Sequence, residues 1–170
     1  PKSLLRHPAV ASTPQELAEG RFMSVLDDRD ARERAAQVRR LVLCSGKVFV
    51  DLVSSERRAE ASHVALVRVE QLYPFPTVAL REVLETYAHL DDVIWLQEEP
   101  ENMGAWNFAR PLLEELIGDR VPLRYIGRAR SASPAEGSAA WHQLNQKALI
   151  EQAFGARSEV EAPLVLSKKV

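Results

Sequence analysis

The chain has 170 residues, 46% of them apolar and 27% charged, which supplies one buried core and a charged surface to cover it and excludes a disordered polyelectrolyte. A formal charge of −2 and an isoelectric point near 6.1 give no global field for nucleic acid or an anionic membrane surface. No apolar run approaches the ~20 residues needed to span a bilayer, so a soluble protein with neither nucleic acid nor membrane as a partner is expected.

Thr13, Pro14, Gln15 and Glu16 form a capping box with proline at the first helical position, so a short helix is predicted to end near Gly20. Phe22 to Leu26 reads as a strand, and Asp27 to Gln37 is charged enough to suggest a solvated loop or an exposed helical turn. From Val38 the pattern is regular. Val38 to Cys44, His63 to Val69, Asp92 to Gln97 and Pro122 to Ile126 have the content of buried strands. Between them Val48, Phe49, Leu52 and Val53 share a helical face, as do Leu80, Val83, Leu84 and Tyr87, and Ala109, Leu112, Leu113 and Leu116.

Pro111 lacks an amide donor, which predicts that the third helix is kinked or split. Ser133 to Glu136 repeats the capping-box logic ahead of a last helix carrying Trp141, Leu144 and Ala148. Alternating strands and helices demand right-handed crossovers, hence a mostly parallel sheet covered on both faces in a three-layer α/β/α sandwich. Cys44 has no partner for an internal disulfide, and its aliphatic neighbours predict burial, which fits a reducing compartment. Pro1 is neither an initiator methionine nor the start of a signal peptide, so a chain cut from something longer is expected. One domain is predicted over residues 1–154. Residues 155–170 are predicted to be a tail, either disordered or docked through the apolar Ala162 to Leu166.

Pro1 to Pro8 (PKSLLRHP), Cys44 to Lys47 (CSGK), Gln71 to Pro76 (QLYPFP), Gln97 to Trp106 (QEEPENMGAW) and Gly127 to Ala135 (GRARSASPA) occur in this order at domain-length spacing. Together they resemble the C-terminal, transketolase C-terminal-like domain of the thiamine-diphosphate-dependent first component of the 2-oxoglutarate dehydrogenase complex. The resemblance implies five strands in the order 1-3-2-4-5, the first antiparallel. It also implies a parent oxidoreductase of the tricarboxylic acid cycle that decarboxylates 2-oxoglutarate and passes a succinyl group to a lipoyl-bearing acyltransferase. Thiamine diphosphate, magnesium and the catalytic residues would then lie in preceding domains, leaving this domain non-catalytic and in contact with those domains and a second subunit. A 2-oxoadipate-type parent is the alternative substrate reading. The compartment implied is the cytoplasm of a bacterium or, in a eukaryote, the mitochondrial matrix.

In the implied strand order, the crevice between oppositely directed connections is flanked by Ser45, Gly46 and Lys47 and by Glu98 to Met103. The first loop leads into a helix, so its amides and the Lys47 ammonium form a candidate anion site, opposed by the acidity of Glu98, Glu99 and Glu101. An independent or allosteric module for a nucleotide or acyl-CoA phosphate is therefore the second functional class. Glu98 and Glu99 are neighbours on a strand and point to opposite sides, which favours capping and ion pairing over acid/base work. His7, His63, His89 and His142 show no metal-ligand spacing, and no G-x-S-x-G, P-loop or G-x-G-x-x-G is present. No catalytic, cofactor or metal residue is assigned.

Tyr73 and Phe75 either fill core gaps in a rigid connection or form an apolar contact surface, and Trp106 is read the same way. Exposed, these rings predict self-association. Arg128 and Arg130 should emerge beside the acidic loop, with Arg128 the ordered partner of Glu98, Glu99 or Glu101 and Arg130 solvated.

Overall fold

The computed structural model describes residues 2–155. A single five-stranded sheet has the order β1-β3-β2-β4-β5, with β1 (Val25–Leu26) antiparallel to β3 (Val64–Val69). The central strands β2 (Arg40–Cys44) and β4 (Asp92–Pro100) are parallel to their neighbours, and β5 (Leu123–Arg128) closes the far edge. This is the expected order and sense. The pleat divides the core in two. Leu41, Leu43, Ala65, Val67, Val93 and Trp95 face one layer, while Val42, Cys44, Leu66, Ile94 and Leu96 face the other. Being covered on both sides, β2 is buried along its whole length, as parallel strands are.

The first layer is built by α2 (Arg29–Glu33), α5 (Thr77–Thr86) and α6 (Trp106–Ile117), which bury Ala31, Leu80, Val83, Leu84, Ala109, Leu113 and Leu116. Tyr87, just past α5, joins them. The second layer is built by α3 (Lys47–Val53), α4 (Arg57–Glu60) and α7 (Ala139–Phe154). Outside both layers, α1 (Pro14–Glu19) carries the predicted capping box and stops at Gly20, but none of its residues is buried.

Several expectations are corrected. The first strand is confined to Val25–Leu26, and Phe22 and Met23 are exposed. The charged stretch after it is not simply solvated. Asp28 caps α2 and lies 6% exposed, accepting hydrogen bonds from the Ala31 and Leu66 amides and from both terminal nitrogens of Arg58. Helix α6 is not split, because Pro111 removes one donor while the ladder resumes on either side of it.

The capping box at Ser133 starts no helix, since its hydroxyl is turned to the Ala135 backbone. Ser138 instead accepts from the Trp141 amide and begins α7. With that start, α7 buries Gln146, Leu149, Ala153 and Phe154 and leaves Trp141 and Leu144 exposed. Residues 156–170, on which the tail expectation falls, lie outside the described residues.

The floor of the sheet carries a buried ion pair. Arg40 and Asp92 meet side by side at 3.0 Å through Nε to Oδ1 and Nη2 to Oδ2. The remaining guanidinium nitrogen donates to the carbonyls of Gln152, Ala153 and Gly155, capping the end of α7. No helix among the described residues is long and apolar enough to cross a membrane.

Candidate functional site

The loops at the carboxyl ends of β2, β4 and β5 meet on the α3/α7 side of the sheet, where the strand order places the crevice. Ser45 and Gly46 turn the chain out of β2 with Gly46 at φ 71°, and Lys47 opens the seven-residue α3. The Lys47 ammonium borders a surface cavity with Asp51, His142 and Gln146, and carboxylates already neighbour it. It bonds Asp51 one turn along and lies 3.8 Å from Glu98 of β4. Gln146, the polar residue on the buried stripe of α7, donates to Asp51 at 2.8 Å and Glu98 at 2.9 Å, and accepts from Arg128 at 3.3 Å.

Arg128 continues the network. Its Nη2 lies 3.1 Å from His142 Nδ1 and 3.7 Å from Glu136, whose other oxygen takes the Asn145 amide. Because a guanidinium can only donate, Nδ1 of His142 accepts, which places the proton of the neutral ring on Nε2. Two cations therefore share three carboxylates, Asp51, Glu98 and Glu136, across a surface pinned by one glutamine. Among the described residues, Arg128 Nε, Glu136 Oε2 and Asn145 Oδ1 are buried without a hydrogen-bond partner, and all three residues line a groove with Arg130, Ser131 and Trp141.

The expected pairing of Arg128 with Glu98, Glu99 or Glu101 is corrected. The two loops do lie together, but they are joined by backbone and amide groups. Glu101 N donates to Arg128 O at 2.9 Å, and Asn102 exchanges two 2.9 Å bonds with Ser131. The guanidinium turns to Glu136 because the intervening loop folds back over it, and it reaches Glu98 only through Gln146. Glu99 and Arg130 are exposed, and Glu98 and Glu99 diverge as neighbours on a strand should.

Gln97 explains most of the QEEPENMGAW segment. Its carbonyl oxygen accepts from Trp95 Nε1 and Trp106 N, both at 3.0 Å, and its amide nitrogen donates to Met103 O at 2.8 Å and Pro100 O at 3.2 Å. Gly104 sits at φ 65° against this amide, where an added Cβ would lie 3.0 Å from Gln97 Nε2. Trp106 is accordingly no surface ring: it is 6% exposed and stacks on Tyr125 with centroids 5.1 Å apart. Burial pushes the Tyr125 hydroxyl up and the Cys44 thiol up to about 12, so neither offers an anion at neutral pH.

The aromatic rim lies on the opposite layer. Tyr73 is 83% exposed and Phe75 is partly buried, and both touch Phe108 with centroids at 6.4 and 6.2 Å. Sequence reasoning missed Asp51, Glu136, Gln146 and Phe108. Asp51 was recoverable from its i,i+4 spacing to Lys47, and Gln146 as a polar residue on the stripe of Leu149 and Ala153. Glu136 depended on a loop path that no periodicity encodes.

Residues 11–154 match the family described as 2-oxoglutarate dehydrogenase C-terminal. The chain is 46% identical over 154 residues to the 2-oxoglutarate dehydrogenase E1 component of Haemophilus influenzae, covering 91% of this chain and 16% of the relative. It is 41% identical over 161 residues to the E1 component of Bacillus mycoides and 40% to that of Bacillus cereus, covering 92% of this chain and 17% of each relative. The chain thus spans about a sixth of the length of these relatives. With the strand order, the crevice loops and this match together, the chain belongs to the 2-oxoglutarate dehydrogenase C-terminal family.

Proposed function

We propose that this chain is the non-catalytic structural and interaction domain of a 2-oxoglutarate dehydrogenase whose preceding domains hold the chemistry and whose subunits pair. The observation that carries this reading is the exposed aromatic rim of Tyr73 and Phe108, a contact surface displayed at the carboxyl edge of the sheet. The family's thiamine diphosphate and magnesium do not fit the residues of this edge. Asp51 and Glu98 are held by Lys47 and Gln146, and Glu136 by Arg128 and Asn145, so these oxygens are committed within the domain. Decarboxylation of 2-oxoglutarate, and succinyl transfer to a lipoyl-bearing acyltransferase, belong to the complete enzyme in this proposal. A bacterial-type cytoplasm is the compartment proposed with it, given the bacterial relatives.

The chain mixed with thiamine diphosphate, magnesium and 2-oxoglutarate should release no carbon dioxide, and turnover by residues 1–170 alone would overturn the proposal. In the complete enzyme, Tyr73→Ser with Phe108→Ser should lower the melting temperature and loosen assembly while leaving the fold of this domain intact by circular dichroism.

A second reading is favoured by the Arg128 Nε donor, buried without a hydrogen-bond partner in a groove shared with Arg130 and Trp141, which suits a nucleotide or acyl-CoA phosphate acting allosterically. Titration calorimetry with such ligands separates the two, because the first reading expects no heat at this groove.

A further inference from the structure

Residues 2–23 combine local specification by caps and turns with no fully buried residue, and from residue 8 to residue 23 every one is exposed. His7 Nδ1 accepts from the Ala9 amide, and Pro8 opens a 3-10 turn. Thr13 and Glu16 close the capping box at 3.1 and 2.8 Å, and Pro14 opens α1. Gly20 ends it where a Cβ would fall 2.0 Å from the Glu16 carbonyl oxygen. A six-residue helix is too short to persist in water on propensity, so the caps and the glycine specify a shape rather than follow from packing.

Yet Leu5 is 82% exposed, Leu17 76%, Phe22 71% and Met23 43%. The ion pair from this arm to the domain body, Glu16 with Arg29 at 3.9 Å, joins exposed side chains and holds little. Between the arm and α5 runs a groove floored by Phe22, Met23, Ala79 and Val83.

We propose that residues 2–23 are a preformed docking arm, and that Leu17, Phe22 and Met23 seat on the part of the enzyme chain lying N-terminal to this domain. This rests on the reading above that the chain is one domain of a longer enzyme. Two observations select that occupant. The family is a C-terminal one, and the chain spans only 16–17% of its relatives, so the bulk of such an enzyme precedes the domain. The match also begins at residue 11, inside the arm, so the family pattern extends through a segment that buries nothing in its own domain. A surface tethered within a few residues of the arm reaches it at a far higher effective concentration than a second copy does.

The test is amide hydrogen exchange over residues 14–23 in the complete enzyme and in residues 1–170 alone. Exchange should be at least tenfold slower in the complete enzyme, and Leu17→Glu or Phe22→Glu should abolish the difference. Since both side chains are exposed in the domain, its own circular dichroism should not change. Equal exchange in the two forms, or protection that survives both substitutions, overturns the proposal. Protection in residues 1–170 that grows with concentration also overturns it, because the occupant is then a second copy. If Tyr73→Ser with Phe108→Ser loosens the enzyme while the arm variants do nothing, the arm alone is refuted. If neither set has an effect, the domain reading falls with it.

Discussion

Gln97 holds a position that hydrophobicity alone would not assign to it. Its oxygen serves two buried donors, so Gln97→Leu keeps the bulk and orphans Trp95 Nε1 and Trp106 N together. Each orphaned donor should cost about 1–3 kcal/mol, read by urea unfolding, and the start of α6 should lose amide protection first. Asp28 makes the corresponding prediction in pH. Burial raises its pKa, but Arg58 and the Leu66 and Ala31 amides outweigh burial and hold the folded carboxyl below its ordinary value. A depressed folded value means that the stabilisation is complete above the unfolded value of about 4 and is lost as the pH falls through the lower folded value. Asp28→Asn should therefore be less stable at neutral pH and show a flatter acid limb when denaturation midpoints are compared from pH 7 down to about 3. The sequence places Asp28 in a charged stretch that reads as a solvated loop or an exposed helical turn, and the turn is there as α2. What buries Asp28 is Arg58, thirty residues away, and such a partner leaves no local signature.

At the scale of elements, strands were more legible than helix starts. The aliphatic runs at Val42, Leu66 and Ile94 belong to strands buried on both faces, where no alternation competes with the pattern. The start of α7 was misread because Ser133 and Ser138 both carry cap chemistry, and the choice falls to Glu136, drawn away to Arg128 and Asn145. The buried stripe of α7 runs through Gln146, Leu149 and Ala153 rather than Trp141 and Leu144, which brings Gln146 into the network. In the crevice, Lys47 and Glu98 were visible as charges beside a strand end, but their mutual pairing required the fold. Helix α1 gives the opposite case, fully legible and energetically idle within the domain. Thr13→Ala should fray it, seen as faster exchange of the Leu17 and Ala18 amides, while the urea midpoint of residues 1–170 stays unchanged because nothing there is buried.

For the whole molecule, the aromatic rim sets behaviour in solution. Residues 1–170 should self-associate in sedimentation velocity, and Tyr73→Ser with Phe108→Ser should shift the population toward monomer, since both rings are exposed and in contact with each other. Internal order is set at the opposite edge, by Arg40. Removing Arg40 strips the buried Asp92 of its hydrogen-bonded partner and leaves it the Arg124 guanidinium at 3.9 Å, at a cost of up to about 3–5 kcal/mol. The Arg40 guanidinium also reaches the Gly155 carbonyl across 115 positions of chain. A contact of that span closes residues 40–155 into one loop and can form only after the sheet and α7 are assembled. It acts as a latch on the finished structure rather than as part of the folding nucleus. Arg40→Ala should consequently accelerate unfolding and leave the refolding limb of the chevron almost unmoved. The lifetime of the folded domain, more than its rate of formation, then depends on a single side chain at the base of β2.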